Sequence, residues 1–171
     1  MRRGICVVVS AATLAWNLAV SATESHPNFS GMWQLDKTHS VAPPQATSRV
    51  PVGQGDVTLV IDHQATTLKI ERRVRIMTFE RSLTSIYYTD GRESSNTNLL
   101  GHVILSKARW EGQSLVIESR GVVERNGQTQ VMEGTDIYHL SEDQRVLFVD
   151  ATRKKPGQDS PEVSHLIFTK R

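Results

Sequence analysis

Apolar and polar side chains alternate along most of the chain. The plainest case is Thr67-Leu68-Lys69-Ile70-Glu71-Arg72-Arg73-Val74-Arg75-Ile76, where Thr67, Lys69, Glu71, Arg73 and Arg75 form a polar set and the positions between them are mainly aliphatic. Successive side chains of a strand point to opposite faces, so this period marks a strand with one wet and one dry face. Similar runs, rich in Val, Ile, Thr and Tyr, predict strands at about 31–37, 57–63, 67–76, 78–88, 92–98, 102–111, 114–124, 129–140, 145–153 and 163–170.

The joins carry turn chemistry. Asp90-Gly91, Glu111-Gly112, Asn126-Gly127 and Ser141 to Gln144 each sit between two alternating runs and predict hairpins. No Gly, Pro or Asn marks Arg75 to Thr78, so 67–88 reads either as two strands or as one long bent strand. Two connections are long, 38–56 with Pro43, Pro44, Pro51, Gly53 and Gly55, and 154–162; each is a solvated connector or a binding element. Nothing resembles the amphipathic crossover that parallel strands require. Eight to ten antiparallel strands must hide their edges, and consecutive hairpins favour a single up-and-down β-barrel over a two-sheet sandwich.

The first residues follow another rule. Arg2 and Arg3 precede an apolar stretch from Ile5 to Val20, and Val20-Ser21-Ala22 forms a small-residue cleavage site. Residues 1–22 therefore read as a cleaved signal peptide, and 23–171 as one barrel domain. Ser10, Thr13 and Asn17 interrupt the stretch, which falls short of the roughly 20 apolar residues of a spanning helix. The expectation is a protein exported from a bacterial cytoplasm, periplasmic or secreted, with no membrane span after cleavage.

Cleavage changes the charge balance. With Arg2 and Arg3 removed, 18 basic side chains face 18 acidic ones, which gives no basic face for nucleic acid. The only cysteine, Cys6, leaves with the signal, so the mature chain has no disulfide, thiol nucleophile or cysteine-bound metal. His26, His39, His63, His102, His139 and His165 show no metal-ligand spacing, and no nucleophile elbow, phosphate loop or dinucleotide fingerprint occurs. The reading is a non-enzyme without cofactor or metal; the sequence does not reveal its oligomeric state.

Asn28-Phe29-Ser30-Gly31-Met32-Trp33 resembles the opening strand of the calycin superfamily, in which lipocalins and fatty-acid-binding proteins begin with Phe, then Gly, any residue, Trp. The chain is more closely similar to a group of secreted bacterial lipocalin-like proteins, through Tyr88 to Glu93, Ala108 to Gly112 with Leu115, and Leu166 to Lys170. The resemblance implies a barrel closed at one end, where Gly31 and Trp33 meet a basic side chain of the last strand, Lys170 or Arg171. It also implies that the carboxylate site of fatty-acid-binding proteins is absent, because Leu166 and Phe168 align with its Arg and Tyr.

Alternation selects the candidate interior. If the polar set of 67–76 faces water, Leu68, Ile70, Arg72, Val74 and Ile76 face inward, as do Phe79, Arg81, Leu83 and Tyr87, and Met132, Asp136, Tyr138 and Leu140. Three charges then fall on apolar faces. Either Asp136 compensates an arginine, or the groups line a wet cavity, or the register slips by one. The functional reading has Arg72 or Arg81 anchor the acidic head of a small apolar or amphipathic ligand, with Tyr87 and Tyr138 donating hydrogen bonds. A cavity of roughly 300 Å³ lined by Leu68, Ile70, Phe79, Tyr87 and Trp110 would mark such a binder. A filled interior would mark a non-catalytic envelope structural or interaction protein, with Trp110 capping the barrel end.

Overall fold

The computed structural model describes residues 25–42, 55–98, 101–125, 127–154 and 160–171. The expected signal peptide, most of the first long connection and the tip of the second lie outside the described residues. Ten strands follow one another: β1 (Gly31–Leu35), β2 (Asp56–Gln64), β3 (Thr67–Ile76), β4 (Phe79–Tyr88), β5 (Glu93–Thr97), β6 (Val103–Glu111), β7 (Ser114–Arg125), β8 (Gln128–Leu140), β9 (Val146–Lys154) and β10 (Glu162–Lys170). They form one antiparallel sheet in the order β4-β3-β2-β1-β10-β9-β8-β7-β6-β5. The last strand meets the first, Trp33 standing opposite Lys170 and Leu35 opposite Phe168, and the sheet curls into a nearly closed barrel. Each strand lies within a residue or two of where alternation puts it.

The stretch 67–88 is two strands. Ile76 stands opposite Phe79, and the chain reverses through Met77 and Thr78, with Met77 in the left-handed region at φ 53°. No residue there advertises a turn, which is why the sequence left the join open.

One expected hairpin differs. The Asp90-Gly91 turn connects β4 to β5, yet the two strands share no ladder. Its amides are engaged elsewhere: Thr89 N–H donates to Thr66 O (2.9 Å) and Gly91 N–H to Ala108 O (3.1 Å). The turn is thus tied to flanking turns and strands, and β4 and β5 splay apart. The Asn96 side chain spans the seam, accepting from Ile86 N–H (2.8 Å) and donating to Ile86 O (2.9 Å). Its amide imitates one rung of the missing ladder.

The core fills one end. Phe29, Trp33, Leu59, Leu68, Leu115, Ile117, Leu147 and Phe168 are fully buried, most of them nearer the end where β1 begins and β10 finishes. Toward the other end of the same strands the inward faces become polar and half-exposed.

Candidate functional site

The closed end is built on the first-strand motif. Trp33 is buried, and its indole N–H donates to Phe29 O (2.9 Å), pinning the segment before β1 beneath the barrel. Lys170 places its ammonium 5.2 Å from the Trp33 ring centre. Gly31 makes room for it, since a β-carbon there would lie 3.0 Å from Lys170 Cε, and the backbone at φ 145° suits glycine. Arg171 contributes its backbone N–H to Met32 O instead (2.9 Å). Of the two basic partners the resemblance allowed, Lys170 is the one over the ring.

Trp110 belongs to this end. It lies parallel to Phe29 and to His26, at 5.7 and 4.3 Å between ring centres. Phe29 N–H points at His63 Nδ1 (3.4 Å), an acceptor only while that nitrogen carries no proton. Burial lowers the His63 pKa; nearby Asp62 opposes this and His26 adds to it. A concavity of about 240 Å³ outside this plug is lined by His26, Asn28, His63, Ala65 and Trp110.

Phe79 and Arg81 belong to the opposite end, the barrel mouth, where both are exposed and the Arg81 guanidinium covers the Phe79 ring at 4.9 Å. Leu68, Ile70, Phe79, Tyr87 and Trp110 therefore do not line one cavity: Leu68 and Ile70 are core, while Phe79 and Trp110 stand at opposite ends. A second concavity, of about 410 Å³, follows the β5 to β8 wall along Lys107, Glu118, Arg120 and Glu133.

Between the two ends the strands bring together five polar side chains. In a ring of ten strands β3 and β4 lie across from β8 and β9, so Arg72 and Tyr87 face Asp136, Tyr138 and Arg153 through the interior. The Arg153 guanidinium holds the Asp136 carboxylate at 2.6 and 2.8 Å. Gly134, opposite Arg153, allows that side chain to lie along the sheet, for a β-carbon there would stand 2.8 Å from Arg153 Cδ. Burial would lower the Arg153 pKa, but the Asp136 charge and hydrogen bond outweigh it and raise it.

Burial also raises the Tyr87 and Tyr138 pKa values, with the Asp136 charge next, so both phenols stay protonated and able to donate. Arg72 is close enough to moderate both shifts, yet among the described residues it has no carboxylate partner. The register did not slip: Asp136 compensates an arginine, but it is Arg153 rather than Arg72 or Arg81. Arg153 stands at the end of β9, past three aliphatic inward positions, where a charge reads as an exposed strand terminus. Leu147, Val149 and Ala151 alternate inward, and Arg153 is the next member of that set.

No family model matches the sequence, and no curated protein matches it. Solved structures do match. The zebrafish ileal bile-acid-binding protein complexed with cholic acid aligns with a TM-score of 0.57 and 13% identity over 84% of this chain and 98% of its own. A Schistosoma mansoni fatty-acid-binding protein in complex with arachidonic acid gives 0.50 and 12%, over 84% and 96%. Secretory abundant heat soluble protein 4 of Ramazzottius varieornatus gives 0.50 and 12%, over 84% and 94%. The fold is the nearly closed antiparallel barrel that these solved structures share. Leu166 and Phe168 of the last strand are buried apolar residues, and the inward Arg72 and Arg153 stand on β3 and β9. No group of three or more His, Asp or Glu among the described residues is placed to hold a metal ion.

Proposed function

We propose that the barrel binds a small amphipathic molecule with an acidic head, and that Arg72 is the head's counter-charge. One observation carries this reading: in the interior Arg153 is neutralised by Asp136, whereas Arg72 has no carboxylate partner among the described residues. An inward cation without a partner is costly, and a ligand carboxylate supplies the missing charge together with two protonated phenols as donors. The cholic and arachidonic acids held by two of the similar structures are both carboxylic acids on apolar bodies, which supports this class of ligand. The apolar body would occupy the upper interior, because the lower half is packed. We propose also that residues 1–22 are removed on export, which N-terminal sequencing of the mature protein would check.

The test compares a long-chain carboxylic acid with its methyl ester by titration. The wild type should prefer the acid, and Arg72→Met should weaken acid binding by about ten- to a hundredfold while leaving the ester alone. If neither compound binds, or if Arg72→Met keeps the preference, the reading fails. Failure of both compounds to bind would favour the filled barrel acting through its outer face.

A further inference from the structure

We propose that the tip of the β3–β4 hairpin docks on an anionic lipid surface. The tip is apolar where solvent reaches it most: Met77 is 94% exposed, Phe79 54% and Ile76 38%. Ile76 and Phe79 are cross-strand partners, so with Met77 they form one patch overhanging the mouth. Among the described residues, the other large exposed apolar side chains gather at the same end, with Val41, Val103, Leu105, Val122 and Val163 toward it and only Met32 and Ile86 away from it. The apolar exposure is thus weighted toward the mouth end, with the hairpin tip at its apex.

The turn itself gives an independent sign. Met77 holds φ 53°, a conformation that Asn or Gly adopts at little cost and a long apolar residue does not. The other left-handed residues besides glycine among those described, Ala65 and Gln144, lie in closed-end turns and are small or polar. Folding alone gives no reason to place a bare methionine in the strained position of an exposed tip, and insertion between lipid headgroups gives one.

Charge selects the kind of surface. Residues 71–81 carry four arginines against two glutamates in a chain that is otherwise close to balanced. Arg75 is only loosely held by Glu80 (3.4 Å, both exposed), and Arg81 has no acidic partner among the described residues. Nearby Asp56 is engaged by Lys37 at 2.7 Å, so the free charge around the tip is positive. Apolar side chains at the apex with arginines one or two residues behind match a bilayer interface, where the apex meets acyl chains and the guanidinium groups meet phosphates.

The mature protein, without added ligand, is sedimented with phosphatidylcholine vesicles with and without phosphatidylglycerol. Binding to the anionic vesicles, weakened by salt, is expected. Met77→Asn removes the apolar apex while suiting the backbone, so it should melt no lower than the wild type and bind the anionic vesicles about tenfold less. Arg75→Gln should reduce the preference for anionic over neutral vesicles. The proposal is overturned if the wild type ignores anionic vesicles, if Met77→Asn binds as the wild type does, or if Met77→Asn instead abolishes a dimer, which would assign the patch to a second copy of the chain.

Discussion

The two halves of the barrel are made from the same strands and do opposite things. Along β3, the inward face runs Leu68 and Ile70, both buried, and then Arg72, half-exposed; along β9 it runs Leu147, Val149 and Ala151, buried, and then Arg153. On β8 the step falls between buried Tyr138 and half-buried Asp136. Each strand begins or ends in the packed half and continues into the polar one. The packed half can hold the upper walls in place, so charges there need not contribute to stability and are free to serve binding.

The packed half depends most on Trp33. It is fully buried, donates to Phe29 O and lies under Lys170, so Trp33→Ala removes packing, a hydrogen bond and a cation contact together. We expect a loss of about 3–5 kcal/mol in denaturant unfolding. A loss below about 1 kcal/mol would mean that the closed end does not carry the fold.

Next in size is Asp136, the one anion of the inward cluster. Asp136→Ala leaves Arg153 without its counter-charge, and because the Arg153 side chain is still 31% exposed, we expect a cost of about 2 kcal/mol, below the range for a fully buried pair. Adding Arg153→Met should recover most of it, since the double variant leaves no orphaned charge from the pair. If the double variant is no better than the single one, the pair is not the reason Asp136 is tolerated inside.

The packed half was the more legible in sequence, and the reason is physical. Alternation reports which face of a strand avoids water, and it located β3, β7 and β9 because their inward residues are Leu, Ile and Val. It says nothing of which inward charges meet across the interior. Pairing Asp136 with Arg153 needs the Gly134 gap and the cross-strand register, neither of which a run of residues displays. Turn chemistry failed in both directions: Met77 hides a tight reversal because it is a poor turn residue, and Asp90-Gly91 advertises a hairpin whose amides bond to other elements.

A smaller effect is expected at the seam. Asn96→Ala frees Ile86 N–H and O, but Ile86 is exposed enough for water to replace the lost rung, so the cost should be about 1 kcal/mol. Faster hydrogen exchange at the Ile86 amide, with the β1–β10 ladder unchanged, would show that the Asn96 side chain protects the β4 edge there.

The smallest change in stability should come from Arg72, where the two halves differ most in role. Met in its place keeps the side-chain length and removes an inward charge that has no carboxylate partner among the described residues. Unfolding free energy should therefore stay within about 1 kcal/mol of the wild type, or rise, because a burden is lifted and no ion pair is lost. In the packed half, any truncation of comparable size lowers stability; here the same measurement should register nothing while acid binding falls. A clear loss of stability in Arg72→Met would mean that the guanidinium holds the upper walls together, and the two halves would then share one role.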